Sequence, residues 1–258
     1  PKRWTTGEIY RRTRKYRETF SDNRSIIRIP VNAPLHLPEA DLPVDPYLYG
    51  YWLGNGCATK PEITVRDCDV DDLISFIPYL LHNRYPQACG GSEILVYKEL
   101  KKILVPHFRE KVIRPEYLRS SEHQRWELLQ GLMDSDGCVS VVKGQSIYVS
   151  TIQQLAESVQ ELLWSLGIKN SLTTCPSTRY GKPTGETLYQ IRFTAFTDQP
   201  VSKLHRKSIR RQERVKQTRS CFHYLKEIRM LACKVKMQCI QVDSPSHCYL
   251  AGRNMVKT

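Results

Sequence analysis

The sequence predicts an α+β protein made of two tandem units, each with the element order αββαββ. The first observation is a repeated nine-residue pattern, LYGYWLGNG over 48–56 and LQGLMDSDG over 129–137. The second is that each copy is followed by segments whose apolar residues alternate, as in strands, and by others whose apolar residues recur at helical spacing. A separate observation concerns the partner. The net charge is +13, from 39 Lys and Arg against 26 Asp and Glu, which favours a polyanionic partner.

The repeated pattern predicts two helices packed closely against each other. Each copy is an apolar helical turn with two small residues four positions apart, followed by a polar residue and Gly. Small residues at this spacing let two helix backbones approach. The small residues are Gly50 and Gly54 in the first copy and Gly131 and Ser135 in the second. The polar residues Asn55 and Asp136 would then lie side by side at the ends of the two helices.

The first half begins after a stretch that is first Arg-rich and then Pro-rich. We interpret residues 1–44 as a basic connector, because its prolines block a continuous helix from Ile29 onward. Asp45 as N-cap and Pro46 at the first position predict where the first motif helix starts. A strand is then expected over 62–66, a helix over 73–81, a strand over 93–97 and a short helix over 99–105.

The second half repeats this order. Ser121, with Gln124 three residues later, predicts a capping box at the start of the second motif helix. A first strand that includes Ser140, a second strand over 146–150 and a helix over 155–166, ended by Gly167, are expected next. Two strands over 169–174 and 188–194 then follow, joined by a loop with two Pro and two Gly residues.

The composition shifts again beyond Pro200. Residues 203–219 carry eight Lys or Arg against one acid, Glu213. Two strands around a Pro turn are expected within 239–250. The predicted organisation is therefore a connector (1–44), a first half (45–120), a second half (121–207) and a basic C-terminal segment with strands (208–258).

Several classes of protein are disfavoured by the sequence. No apolar run approaches the roughly 18–20 residues that span a bilayer, so no membrane partner is expected. No signal-peptide pattern is present, and a chain that begins at Pro1 suggests a processed or excised piece. The nine cysteines are odd in number and form no CxxC pair, which favours reduced thiols and a cytoplasmic location over a zinc module or a disulfide framework.

The two motifs resemble those of the LAGLIDADG homing endonucleases, specifically the single-chain kind encoded within inteins. The resemblance implies a pseudo-two-fold pair of LAGLIDADG repeats that form a DNA-binding saddle. It also implies a monomer that binds a long double-stranded DNA site, about two helical turns in the family, and hydrolyses phosphodiesters with Mg²⁺ or Mn²⁺. This chain departs from the family in its first motif, where Asn55 replaces the family's Asp.

Phosphodiester hydrolysis requires charge neutralisation at the attacking and leaving oxygens, which carboxylates holding Mg²⁺ supply. The resemblance makes Asp136 the principal catalytic metal ligand, with Asn55 at the other centre and the carbonyls of Gly54 and Ser135 as further ligands. Because the Asn55 amide carries no charge, we expect impaired cleavage of at least one strand. Two origins of Asn55 stay open: a natural loss of activity, or an Asp-to-Asn change made to trap a DNA complex uncut.

Two lysines are candidate catalytic residues that would assist the attacking water. Lys111, within Lys111-Val112-Ile113-Arg114-Pro115, resembles the Lys-x-Ile-Pro signature of intein endonucleases, although Arg114 is an extra residue before the Pro. Lys207 is the corresponding candidate in the second half. The alternative for either lysine is a solvated surface charge.

The resemblance also implies that the outward faces of the strands bind DNA, because a curved antiparallel ribbon fits the major groove. We expect the DNA-binding residues to be polar residues on outward strand faces and nearby basic residues suited to phosphates. These are Lys60, Thr64, Arg66, Ser140, Lys143, Ser146, Tyr148, Ser150, Lys169, Ser171, Thr173, Arg179, Lys182, Gln190 and Arg192.

The C-terminal stretch resembles the motif that precedes an intein's C-terminal splice junction. The matching residues are 242–247 and 254–258, so this stretch is interpreted as a remnant of the β-rich Hint splicing domain. The chain stops before the family's terminal His-Asn and has no N-terminal Cys or Ser nucleophile, so we expect that it does not splice. His247 is interpreted as a turn residue.

Three alternatives accompany this interpretation. Asn55 allows a catalytically inactive DNA-binding protein on the same scaffold. An RNA-splicing maturase would use that scaffold as well. A protein-splicing element alone is a third alternative, which the incomplete splice ends disfavour.

Overall fold

The computed structural model describes residues 4–20, 25–78, 81–88, 90–103, 111–139, 145–179, 182–194, 196, 198–208, 219–236, 240–243, 245–246 and 248–257. The chain divides into two units. Unit 1 combines residues 1–32 with 217–258, and unit 2 comprises residues 33–216. Both motifs lie in unit 2.

The described part of the chain forms short helices and strands, most of which belong to unit 2. In chain order they are α1 (Thr6–Thr19), β1 (Arg28–Pro30), α2 (Pro46–Asn55), β2 (Glu62–Arg66), α3 (Val70–Phe76), β3 (Asn83–Pro86), β4 (Ser92–Val96), α4 (Pro115–Leu118), α5 (Glu122–Ser135), β5 (Gly137–Val139), β6 (Gln145–Ser150), α6 (Gln153–Ser165), β7 (Asn170–Arg179), β8 (Lys182–Thr194), α7 (His205–Ser208), β9 (Phe222–Tyr224), β10 (Leu250–Ala251) and β11 (Val256–Lys257). Among these residues, no helix is both long and apolar enough to cross a membrane.

The two motif helices, α2 and α5, begin where the sequence predicts. The Asp45 carboxylate accepts a hydrogen bond from the Leu48 amide, and Pro46 occupies the first turn of α2. Ser121 and Gln124 form the predicted capping box at the start of α5. Both predictions are confirmed. These caps fix the register of the two helices and hence the position of their C-terminal ends.

An antiparallel sheet follows each motif helix. The first sheet has the order β2-β4-β3, and the second has the order β5-β6-β8-β7. Gly56, the residue after α2, forms an antiparallel bridge with Ile63 of β2. Its counterpart Gly137 pairs with Tyr148 of β6 in the second sheet. With the Gly56 bridge taken as the counterpart of β5, the strands β2, β4 and β3 lie in the same order as β6, β8 and β7.

The hairpin of β7 and β8 is longer than predicted. The expected loop between 174 and 188 is wrong, since paired strands extend through most of it and the register shifts between Pro176 and Thr178. Proline is tolerated at this place because β7 is an edge strand, and an edge strand leaves one row of backbone donors unpaired. Pro183, next to the turn, pairs with Thr178.

Three smaller differences lie in the first half. The helix predicted over 73–81 ends at Phe76, and Leu81 lies outside it. The helix predicted from residue 99 is a 3₁₀ turn over Lys98–Lys102. Strand β3 was not predicted, because all four of its residues are exposed and give no alternating apolar signal.

The segment that precedes α2 is anchored by a buried arginine. Arg125 of α5 is fully buried and donates hydrogen bonds to the carbonyl oxygens of Ser120, Ser165 and Leu35. Three carbonyl acceptors compensate the guanidinium for the loss of water. Arg125 thereby holds three separate segments of unit 2 together.

Unit 1 contains a helix that the sequence did not predict. The connector predicted over 1–44 includes α1, which begins with a capping box formed by Thr5 and Glu8. Arg and Lys are good helix formers, and they make up five of the 14 residues of α1, a segment that was interpreted as a connector because of its basic composition. Strand β1 pairs with β9, and β10 pairs with β11.

The two strands predicted within 239–250 are wrong for the described residues. Residues 240–243 and 248–249 form no strand, and the β10–β11 pair begins only at Leu250. Several predicted features lie outside the described residues, namely Ser140, Lys143, His247 and residues 209–218 of the basic segment. The predicted boundaries at 44, 120 and 207 stay predictions.

Candidate catalytic site at the paired helix ends

Helices α2 and α5 touch through their backbones. A Cβ atom added to Gly50 would lie 3.0 Å from the Leu132 nitrogen, and one added to Gly131 would lie 2.6 Å from the Tyr51 nitrogen. Side-chain carbons do not approach backbone atoms this closely without displacing them. Glycine at these two positions is therefore a requirement of the helix contact, as the motif spacing predicts.

The C-terminal ends of the two helices meet. A Cβ atom added to Gly54 would lie 2.6 Å from the Ser135 Cβ atom and 3.0 Å from the carboxyl carbon of Asp136. The Asp136 carboxyl group thus lies against the residue that precedes Asn55. Asn55 is half-buried, and its side chain lies within hydrogen-bonding reach of the buried Tyr51 hydroxyl, one helical turn earlier.

Lys111 binds the end of α2. Its Nζ atom donates hydrogen bonds to the carbonyl oxygens of Gly54, at 3.0 Å, and Gly56, at 2.8 Å. The ammonium also lies 5.5 Å from the centre of the Trp52 ring. The Gly54 carbonyl, which was predicted to bind metal, therefore accepts a hydrogen bond from Lys111 in this structure.

Lys207 binds the end of α5 in a similar way. Its Nζ atom donates to the carbonyl oxygens of Met133, at 2.7 Å, Asp134, at 2.9 Å, and Gly137, at 2.8 Å. The side chain is 5% exposed, which excludes the alternative of a solvated surface charge. Gly56 and Gly137 are the last residues of the two motifs. Lys111 therefore donates a hydrogen bond to the final glycine carbonyl of the first motif, and Lys207 donates one to that of the second.

Burial and opposite charge compete at this site. Burial raises the pKa of the Asp136 carboxyl above its usual range, and the charges of Lys111 and Lys207 oppose that shift. Burial also lowers the pKa of Lys111, and it lowers the pKa of Lys207 to about 8. Asp136 accepts no hydrogen bond from the described residues, so its carboxylate is available to a ligand.

Asp134, two residues earlier in α5, has a different environment. It is 2% exposed, and its carboxylate accepts hydrogen bonds from the hydroxyls of Tyr47 and Ser202 and from the backbone amides of Lys203 and Leu204. Four donors satisfy this carboxylate within the fold. Asp134 was not among the predicted site residues, although an acid in an otherwise apolar helical turn is a recognisable signal.

A second carboxylate holds the segment that carries Lys207. Arg206 donates from Nε and from a terminal guanidinium nitrogen to the two carboxylate oxygens of Asp69, both at 2.7 Å. Asp69 is buried and belongs to the first half of unit 2. Burial raises the pKa of Asp69, but the bidentate hydrogen bonds and charge of Arg206 outweigh it and leave the pKa below its usual range.

The helix ends fit one mode of magnesium binding. Among the described residues, no three His, Cys, Asp or Glu side chains lie together as a complete metal site. Mg²⁺, however, is commonly bound by one or two protein carboxylates together with waters and substrate phosphates. The Asp136 carboxylate, which accepts no hydrogen bond from the described residues, suits that mode, with the Asn55 amide as a weaker oxygen donor.

Four predicted DNA-binding residues lie together on the outer face of the β7–β8 hairpin. Thr173 pairs directly opposite Gln190, and Ser171 pairs opposite Arg192. Arg192 also donates a hydrogen bond to the Gln190 side chain at 2.9 Å. The hairpin therefore presents a compact polar group of side chains.

The predicted outward orientation of Ser146 and Tyr148 is wrong. Both residues are fully buried, and in the sheet they pair opposite Phe193 and Ile191, which face the core. The Tyr148 ring contributes apolar area to that core. The alternate residues of β6, which are half-buried, share the outer face with Arg192 and Gln190; these are Ile147 and Val149.

The remaining predicted DNA-binding residues are distributed over both sheets. Lys60, Arg66 and Lys182 are exposed, whereas Thr64, Ser150 and Lys169 are half-buried. Arg179 is the last residue of β7, and its side chain lies outside the described part of the structure.

Two relatives are similar to this chain in sequence. The replicative DNA helicase DnaB of Mycobacterium intracellulare is 34% identical over 232 residues, which are 88% of this chain and 37% of the helicase. The DNA polymerase of Thermococcus hydrothermalis is 29% identical over 121 residues, which are 44% of this chain and 7% of the polymerase. The chain thus spans well under half the length of either relative.

Solved structures with similarity to this chain include the homing endonuclease I-DmoI in complex with DNA and Mn. The match has a TM-score of 0.39 and 15% identity, and it covers 59% of this chain and 89% of I-DmoI. The N-terminal LAGLIDADG domain of DUF199/WhiA matches with a TM-score of 0.35 and 11% identity, over 57% of this chain and 76% of that domain.

Two glycine-containing helices in backbone contact, each continued into an antiparallel sheet and each bound at its end by a lysine, define a paired-helix α+β protein. Residues 124–219 match the family described as the LAGLIDADG-like domain. These residues are therefore a LAGLIDADG-like domain, and the family resemblance predicted from the motifs is confirmed.

Proposed function

We propose that this chain is a site-specific, double-stranded DNA endonuclease of the homing type, encoded within an intein and impaired by Asn55. The observation that carries the proposal is the Asp136 carboxylate. It lies at the junction of two helix ends, has no hydrogen-bond partner among the described residues, and is flanked electrostatically by Lys111 and Lys207. Structural carboxylates of this fold, such as Asp134, are instead saturated with donors.

The chemistry follows from these groups. Hydrolysis adds water to a phosphodiester phosphorus, and the bridging oxygen leaves with a proton. A divalent cation, when bound, would lower the pKa of the attacking water and neutralise charge on the phosphate. Asp136 would hold that cation, while Lys111 and Lys207 add fixed positive charge beside the phosphates and keep the helix ends in place.

Asn55 makes the two centres unequal. Its amide oxygen can coordinate a cation but contributes no negative charge, and Mg²⁺ favours carboxylates. We propose that one strand is cut more slowly than the other, so that nicked DNA accumulates. A catalytically inactive DNA-binding protein or an RNA maturase is the alternative that cleavage and binding assays distinguish.

A single chain would form the pseudo-two-fold saddle, and the outer faces of its two sheets would supply the surface that binds DNA. The matching strand order of the two sheets supports this arrangement. On the outer face of the second sheet, Arg192 is suited to guanine and Gln190 to adenine, and the apolar side chains of Ile147 and Val149 are suited to thymine methyl groups. The net charge of +13 would strengthen binding to phosphates.

The intein origin is supported by the two sequence relatives. A helicase and a polymerase bear different names, yet each contains a stretch similar to this chain that is a minor part of its length. A stretch shared between such different proteins is expected of an inserted element. Unit 1 would then be the remnant of the splicing domain, and the protein would act in the cytoplasm, where it meets genomic DNA.

The test uses a supercoiled plasmid that carries the helicase gene joined across the stretch corresponding to this chain. In Mg²⁺ or Mn²⁺ the original chain should nick the plasmid, and Asn55→Asp should convert nicking into double-strand cleavage. Asp136→Asn should abolish both activities, and Asp41→Asn, at an exposed carboxylate, should leave them unchanged. Tight binding of the site with no cleavage by the original chain or by Asn55→Asp would refute the nuclease. Preference for structured RNA would select the maturase.

A further inference from the structure

Each lysine is carried on a backbone segment that a buried side chain of one motif helix binds through hydrogen bonds. In the first half this side chain is Tyr49 of α2. Its hydroxyl donates a hydrogen bond to the Val112 carbonyl at 2.6 Å and accepts one from the Arg114 amide at 3.3 Å. Val112 directly follows Lys111, so Tyr49 fixes the backbone beside the Lys111 side chain.

The Tyr49 ring is itself held rigidly. It is 1% exposed, and its centroid lies 4.2 Å from that of Tyr117 and 6.2 Å from that of Trp52. A hydroxyl on a tightly packed ring has little freedom to follow a moving partner. The two backbone hydrogen bonds therefore set the distance between the 111–114 segment and the axis of α2.

In the second half the fastening side chain is Asp134 of α5. Its carboxylate accepts the Lys203 amide at 2.9 Å, the Leu204 amide at 3.2 Å and the Ser202 hydroxyl. The Lys207 amide then donates to the Leu204 carbonyl at 2.9 Å. Asp134 thus fixes the turn from which Lys207 reaches back to the end of the same helix.

The two fastenings are not interchangeable. The first-motif residue that corresponds to Asp134 is Leu53, which has no polar group to offer. The second-motif residue that corresponds to Tyr49 is Gln130, which donates to the Pro200 carbonyl at 2.7 Å, seven residues before Lys207. Loss of either fastening would therefore affect one lysine and leave the other in place.

We propose that Tyr49 and Asp134 are positioning residues, each of which places one lysine at one centre and so sets the rate of cleavage of one DNA strand. This proposal rests on the proposed nuclease function. It adds to the roles proposed for the helix-end residues, because the Tyr49 hydroxyl and the Asp134 carboxylate act on the lysine-bearing segments through hydrogen bonds to their backbones. The asymmetry predicts a strand-specific effect, which a general loss of folding would not produce.

The experiment uses the Asn55→Asp chain, so that both centres are active, and a target duplex with a different end label on each strand. Lys111→Met and Lys207→Met first identify which strand depends on which lysine. Tyr49→Phe should then slow the Lys111-dependent strand, and Asp134→Asn the Lys207-dependent strand, by about tenfold to a hundredfold. The ratio of the two strand rates does not depend on the fraction of folded protein.

Matched controls are available for both substitutions. Tyr117→Phe removes a buried hydroxyl that likewise donates to one carbonyl and accepts from one amide. Both belong to Val44, which precedes α2, whereas Lys111 binds the other end of that helix. Ser202→Ala removes one donor to Asp134 while the carboxylate stays, and should give a smaller effect on the same strand as Asp134→Asn. Tyr117→Phe should leave the strand ratio unchanged.

Hydrogen exchange supplies a readout apart from activity. Tyr49→Phe should speed exchange at the Arg114 amide, and Asp134→Asn at the Lys203 and Leu204 amides, without changing affinity for DNA measured in Ca²⁺. Equal slowing of both strands, slowing of the other strand, or no slowing would overturn the proposal. If the Asn55→Asp chain cuts neither strand, the nuclease proposal itself fails, which is a distinct result.

Discussion

Gly131 of α5 lies directly against the backbone carbonyl of Tyr47 in α2, with no room between them for a side-chain carbon. The contact is between backbones, so neither helix can yield without shifting as a whole. Gly131→Ala should therefore destabilise unit 2 by about 1–3 kcal/mol, despite the better helix propensity of alanine. Urea denaturation followed by tryptophan fluorescence measures this loss.

Gly7 of α1 provides the control, because a Cβ atom there would meet nothing within 4 Å. Gly7→Ala should be neutral or stabilising by up to about 1 kcal/mol. Equal stability of Gly131→Ala and the original chain would show that the helices are not in backbone contact.

The Asp136 carboxylate should lower the stability of the folded chain at neutral pH. Burial raises its pKa in the folded chain above the ordinary value of about 3.9, so the folded state binds its proton more tightly than the unfolded state. Its contribution to stability is then fully present below the ordinary pKa and is lost as the pH rises through the folded pKa. Asp136→Asn should therefore raise the free energy of unfolding at pH 7, and the difference should vanish near pH 3.

Urea titrations of both chains at several pH values test this prediction in metal-free buffer. The Asp41→Asn chain serves as the control, since that carboxylate is exposed and its replacement should change stability at neither pH. A lower stability of Asp136→Asn at pH 7 would mean that the two lysines stabilise the carboxylate more than burial destabilises it.

The sequence predicts those parts of the site that depend on residues close together in the chain. Glycine spacing and helix caps depend on neighbouring residues, and they placed α2 and α5 with their close contact. Lys111 was identified through a short signature near the second motif. By contrast, the partners of Asp134 lie 68 to 70 residues further along the chain or in α2, and no local pattern specifies them.

The orientation of β6 shows a second limit of sequence patterns. Its residues alternate cleanly, but one set contains Ile147 and Val149 and the other contains Tyr148, so either set could form the core face. The register with β8 decides the matter, because Tyr148 lies opposite the buried Ile191. Helix α1 was missed for a different reason, since its Arg-rich composition indicated a solvated connector.

The ion pair of Arg206 and Asp69 should stabilise the segment that carries Lys207. Arg206→Met would leave the Asp69 carboxylate, which is 4% exposed, without its bidentate partner. We expect a loss of about 2 kcal/mol, below the range for fully buried pairs because Arg206 is 39% exposed. Asp69→Asn combined with Arg206→Met should recover part of the loss.

A double-mutant cycle by urea denaturation measures the coupling between the two residues. Because Arg206 holds the pKa of Asp69 below its usual range, the stabilisation is present above the ordinary pKa and is lost as the pH falls through the folded value. The coupling should consequently shrink below about pH 4. Simple additivity of the two substitutions at pH 7 would contradict the expected contribution of the pair.

Lys207 should act as an ammonium ion and not as a neutral base. Its Nζ atom donates to three carbonyl oxygens, whereas a neutral amine has only two N–H groups and could not satisfy all three. Burial nevertheless lowers its pKa to about 8, so the ammonium form is lost at moderately alkaline pH. Cleavage of the strand that depends on Lys207 should therefore fall as the pH rises above about 8, by up to about tenfold per pH unit.

The measurement is the single-turnover rate of that strand between pH 6.5 and pH 9.5, which are about 1.5 units either side of the pKa. The Lys207→Met chain is the control, because its slower residual rate should show no such fall. A rate on the Lys207 strand that instead rises through pH 8, in the original chain alone, would assign the neutral amine to proton transfer. The ammonium would then be the resting form of a general base, and the three carbonyl oxygens would bind it between turnovers.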